Sequence, residues 1–65
     1  MIKVNDKPFD YIEGMTVSDV IRKGNFQFPL LIVKIDEVYI PRDMYNSTKV
    51  TDGADVQIIH LVSGG

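Results

Sequence analysis

The chain has 65 residues, 45% hydrophobic and 25% charged, with a formal net charge of -2 and no cysteine. These values exclude a disordered tail, a disulfide-stapled scaffold and a thiolate metal site, and the seven scattered Lys and Arg residues form no basic patch for nucleic acid. A single domain this small buries a limited share of its surface and has little interior for a deep pocket, which argues against a self-contained enzyme.

Met1 to Val4 and Phe9 to Ile12 carry alternating or β-branched residues around Asn5-Asp6-Lys7-Pro8, which is turn chemistry, so they predict an opening β-hairpin. Glu13-Gly14 ends it. Thr16 then stands as a helix N-cap with Asp19 three residues later and Met15 placed to staple onto Val20. Val17, Val20 and Ile21 make one apolar stripe, and Gly24 after Arg22-Lys23 predicts a left-handed helix stop. Asn25 to Pro29 reads as a loop. Leu30 to Ile35 is the most strand-like run, and Asp36-Glu37 turns it into a second strand over Val38 to Ile40. Pro41 ends that hairpin, Arg42 to Thr48 is an irregular crossover, and Asp52-Gly53 turns the chain into a last strand from about Asp55 to Leu61.

The order ββαβββ gives an α+β domain, a β-grasp (ubiquitin-like) fold. Its mixed four- to five-stranded sheet carries one short helix packed on one face, because the helix stripe must be covered. In that fold the first and last strands lie side by side at the centre, so the C-terminal residues project beyond the sheet. We expect a domain over residues 1–61 and an extended, flexible tail over 62–65. Parity along the last strand puts Val56, Ile58 and His60 on one side and Gln57, Ile59 and Leu61 on the other, and Ile32 faces outward if Leu31, Val33 and Ile35 face in. Ile32, Ile59 and Leu61 are then either a docking patch for a partner on the open face or ordinary scattered surface aliphatics.

No catalytic constellation, metal-ligand cluster or phosphate-binding glycine loop is legible. His60 is the single histidine, and it reads as a partly buried structural residue rather than a general base, since no nucleophile or orienting residue for it is identifiable in the sequence. No signal peptide or long apolar segment begins the chain, which predicts a cytoplasmic protein with no membrane partner. What remains is Val62-Ser63-Gly64-Gly65. Glycines there allow an extended tail to thread a narrow channel and present its carboxylate; a frayed terminus is the plain alternative.

Ile40-Pro41-Arg42, the run from Thr48 to His60 and the ending Val62-Ser63-Gly64-Gly65 resemble the second half of ThiS proteins, and Thr16-Val17-Ser18-Asp19-Val20-Ile21 resembles the family's helix start. The likeness spans essentially the whole chain. It departs at Asp36-Glu37, where the family often shows Asn-Gly, and at Ser63, where a third glycine is frequent. The resemblance implies a sulfur carrier of thiamine biosynthesis that is not itself an enzyme. In such a carrier a ThiF-type adenylyltransferase uses ATP to adenylate the terminal glycine, here Gly65. A cysteine desulfurase or sulfurtransferase supplies sulfur to give a thiocarboxylate, and a ThiG-type thiazole synthase consumes it. The carrier holds no cofactor other than that covalent sulfur. A molybdopterin-type sulfur carrier and a TGS-like β-grasp module that binds ligand or RNA are the alternatives.

Overall fold

Asn5 and Asp6 both adopt left-handed backbone, at φ 52° and 67°, which is the two-residue hairpin turn whose twist suits flanking strands. The computed structural model describes residues 1–26 and 30–61. The turn joins β1 (Ile2–Val4) to β2 (Lys7–Phe9), with Val4 opposite Lys7. Because it closes in two residues, the second strand begins at Lys7 and ends at Phe9, instead of running over the expected Phe9 to Ile12. Ile12 to Met15 forms a turn instead, Met15 N–H donating to Ile12 C=O at 3.0 Å. Pro8 is tolerated inside β2 because that strand is a sheet edge.

The helix α1 (Val17–Lys23) starts as its residues dictate: Asp19 N–H donates to the Thr16 hydroxyl at 3.3 Å and Thr16 N–H donates to the Asp19 carboxylate at 2.9 Å. Its end differs from the expectation. Gly24 has right-handed backbone (φ -79°), and the left-handed residue is Asn25 at φ 59°. Asn25 N–H returns to Arg22 C=O and Phe26 N–H to Ile21 C=O, the paired bonds of a Schellman stop. Gly24 is needed for space: a β-carbon there would lie 2.3 Å from the Phe26 ring.

Strands β3 (Leu31–Ile35) and β4 (Val38–Ile40) form the second hairpin, and its turn residues Asp36 and Glu37 again share left-handed backbone, at φ 48° and 70°. A short 3-10 helix, Arg42–Met44, occupies part of the crossover, and β5 (Asp55–His60) completes the chain. The sheet order is β2-β1-β5-β3-β4, with β1 and β5 parallel and the other pairs antiparallel. The first and last strands are therefore neighbours and β5 is central. This mixed sheet with one short helix is the ubiquitin-like β-grasp.

One side of the sheet and the helix stripe enclose Ile2, Val4, Met15, Val17, Val20, Val33, Val50, Ala54, Val56 and Ile58, with no polar side chain buried among the described residues. Burial of each Val or Ile contributes about 1.5–3 kcal/mol. The segment before β5 is tied across the helix start by Val50 N–H to Met15 C=O (2.9 Å) and Val17 N–H to Thr48 C=O (3.0 Å).

Candidate functional site

The direction of the backbone bonds along β5 decides what flanks the approach to the tail. Leu61 N–H donates to Leu30 C=O (3.0 Å) and Asp36 N–H to Asp55 C=O (2.9 Å), so odd-numbered residues of β5 turn their backbone toward β3 and even-numbered ones toward β1. β1 stops at Val4, opposite Val56. The next even residue, Ile58, is taken up by a side chain: its N–H donates to Asn5 Oδ1 at 2.8 Å, and Asn5 Nδ2 donates to its C=O at 3.1 Å. The carboxamide of Asn5 thus serves as one more peptide of β1.

The same substitution occurs on the other side of β3. The β3–β4 register pairs Val33 with Ile40, and continuing it would place Arg42 beside Leu31, but the chain has left the sheet at Pro41 for the 3-10 helix. Tyr45 fills in, its hydroxyl donating to Leu31 C=O at 3.2 Å. Burial is the main cause that raises the Tyr45 hydroxyl above its ordinary value, with the neighbouring Tyr39 adding to it and Arg42 opposing it. Past Asn5 and Tyr45, β3 and β5 continue as a two-stranded ribbon through Leu31 and His60 to Leu30 and Leu61.

The open face of that ribbon is apolar. Ile32 lies directly opposite Ile59, Ile32 half-buried and Ile59 46% exposed. Leu61, 48% exposed, is bonded to Leu30, also 48% exposed. Parity thus placed Ile32, Ile59 and Leu61 on one face, as expected, and the register adds two residues that sequence reading overlooked. Leu30 follows from the same alternation carried one step back. Tyr39, 58% exposed and opposite Lys34, needs the hairpin register, which the two-residue turn fixes. Away from the tail the face becomes polar, through Lys34 beside Gln57 and then Asp55 beside Lys3.

His60, opposite Leu31, is exposed, which corrects the expected partial burial: it shares the side of Val56 and Ile58 but lies at the last position of β5. The tail residues Val62, Ser63, Gly64 and Gly65, and with them the expected attachment point, lie outside the described residues. Among the described residues no group of three or more His, Asp or Glu side chains is placed to hold a metal ion, and no helix is long and apolar enough to cross a membrane. The depressions beside β2, one lined by Pro8, Phe9, Asp10 and Lys23 and one by Met1, Ile2, Lys3 and Pro8, are shallow.

The family model described as "ThiS family" matches residues 2–65. The chain belongs to the ThiS family. Membership agrees with the coarse reading that the resemblance gave, a small sulfur-carrier protein of thiamine biosynthesis. The fold is matched by the crystal structure of the thiamine biosynthesis protein ThiS from Geobacter metallireducens, with a TM-score of 0.77 and 24% identity, covering 98% of this chain and 97% of that one. Two relatives are described as uncharacterized protein ycf40. The one from Porphyra purpurea is 27% identical and the one from Pyropia yezoensis 22%, each aligned over 98% of this chain and 90% of the relative.

Proposed function

We propose that this ThiS-family chain carries sulfur as a thiocarboxylate on Gly65, formed and consumed by partner enzymes. The observation that carries the proposal is that the central strand β5, which ends at His60, bears an apolar patch at the end that precedes residues 62–65 in sequence. A C-terminal carboxylate has a pKa of roughly 3.3 to 3.7, so it is an anion near neutral pH and a poor electrophile. Activation comes from outside. A carboxylate oxygen of Gly65 attacks the α-phosphorus of MgATP held by a ThiF-type adenylyltransferase, releasing pyrophosphate. The terminal sulfur of a persulfide on a cysteine desulfurase or sulfurtransferase then attacks the acyl carbon and displaces AMP. A thiol reductant cleaves the resulting acyl disulfide to leave the thiocarboxylate. A ThiG-type thiazole synthase takes the sulfur, and the terminus returns to a carboxylate.

The chain contributes no acid, base or resident cofactor to these steps, and ATP is the partner's substrate. Its own contribution is recognition and reach. Ile32, Ile59 and Leu61, joined by Leu30, form the docking patch, and Val62, Ser63 and Gly64 span the distance into the partner's site, with Gly64 giving clearance. A patch of this size suits successive transient contacts better than one obligate interface. We assign these encounters to the cytoplasm.

The test is to incubate the protein with a ThiF-type enzyme, MgATP and a sulfur donor, and to measure intact mass. One oxygen-to-sulfur exchange, localised to Gly65 and lost on deletion of Gly64-Gly65, is expected. No exchange, with function intact after that deletion, overturns the carrier reading in favour of a TGS-like binding module.

A further inference from the structure

The ribbon formed by β3 and β5 outlasts both of its flanking strands, and at each flank one side chain takes the place of the missing strand. Asn5 bridges both backbone groups of Ile58 (2.8 and 3.1 Å), and Tyr45 holds the Leu31 carbonyl (3.2 Å). Both supports are part-buried, where hydrogen bonds are less exposed to competition from water. Each is anchored elsewhere. Asn5 N–H donates to Val56 C=O at 2.9 Å, and the Tyr45 carbonyl accepts from Ser18 N–H in the first turn of α1 at 3.1 Å. The apolar residues Leu30, Ile32, Ile59 and Leu61 all lie on this ribbon, Leu61 being also the last described residue before the tail.

We propose that Asn5 and Tyr45 are positioning residues that fix the direction in which the ribbon delivers the tail and its docking patch to the activating enzyme. The proposal rests on the sulfur-carrier reading for its consequence, but its structural half is measurable without a partner. Neither side chain touches the reacting carboxylate; both act through the backbone of β3 and β5. A two-stranded ribbon without lateral support is marginal in water, so removing one support loosens the distal rungs before the remainder of the sheet.

The experiment compares the wild-type chain with Tyr45→Phe, which deletes only the hydroxyl, and with Asn5→Gly, which keeps the left-handed turn and deletes the carboxamide. Amide hydrogen exchange is followed at Leu61, bonded to Leu30, and at Lys3, bonded to Ala54 C=O at 3.0 Å on the far side of β5. Loss of one hydrogen bond corresponds to about fivefold faster exchange. That acceleration is expected at Leu61 in Tyr45→Phe, with Lys3 unchanged at a temperature well below unfolding. Equal acceleration at both amides identifies the two residues as general stabilisers and overturns the proposal. In the adenylation assay both variants are expected to raise KM about three- to tenfold with kcat less affected, since docking and delivery share the ribbon. Local loosening with unchanged kcat/KM overturns the role in delivery. If the wild-type chain is not adenylated at all, the carrier reading fails while the exchange result still decides whether the side chains hold the ribbon.

Discussion

Glu37 holds a backbone conformation, φ 70°, that crowds its β-carbon against the following carbonyl. The turn keeps it there because β3 and β4 are already paired on both sides and because Asp36 is tied to β5, its carboxylate accepting from Asp55 N–H at 3.0 Å. Glu37→Gly should therefore raise stability by about 0.5–1 kcal/mol, the relief of strain exceeding glycine's greater freedom when unfolded; urea denaturation at neutral pH measures it. A second prediction concerns acid. The Thr16 backbone N–H bond is the main cause that holds Asp19 below its ordinary 3.8, and the N-terminal ammonium, 2.5 Å away, does the same for Asp52. Groups depressed in the folded state stabilise it above their unfolded value, and that contribution is lost as pH falls through the folded one. Stability should decline below pH 3.8, and the Asp19→Asn, Asp52→Asn double variant should show a shallower decline in thermal melts across that range.

Strand parity carries the prediction about docking. Ile59 and Leu61 are about half exposed and belong to no buried cluster, so Ile59→Asp and Leu61→Asp should alter stability by less than about 1 kcal/mol. Each should lower kcat/KM for adenylation about five- to thirtyfold, the range for one or two kcal/mol of lost contact; unchanged kinetics would remove the patch from the interface. These faces were legible because alternation along β5 is a local property. The helix was legible for the same reason, through Thr16, Asp19 and the stripe from Val17 to Ile21. The second strand was misplaced because Lys7 and Pro8 look like turn residues, and only pairing with β1 reveals that an edge position accommodates proline. The helix stop lies at Asn25 rather than Gly24, and the glycine instead leaves room for the ring of Phe26 two residues on. Asn5 and Tyr45 could not be found at all. Their partners, Ile58 and Leu31, are remote in sequence, and no periodicity marks a side chain that stands in for a strand.

At the scale of the whole molecule, the sheet order joins the two ends of the described chain. The domain encloses an apolar core with no buried polar side chain among its described residues. The parallel pairing of β1 with β5, Lys3 beside Asp55 and Val4 beside Val56, joins segments from nearly opposite ends of the sequence. During synthesis, such a long-range contact cannot form until β5 itself has left the ribosome. Until β5 arrives, β1 and β3 lack the strand between them, and the core lacks Val56 and Ile58. A nascent chain that lacks β5 therefore holds two unjoined hairpins under an incomplete core, and the sheet closes only in the final step of folding.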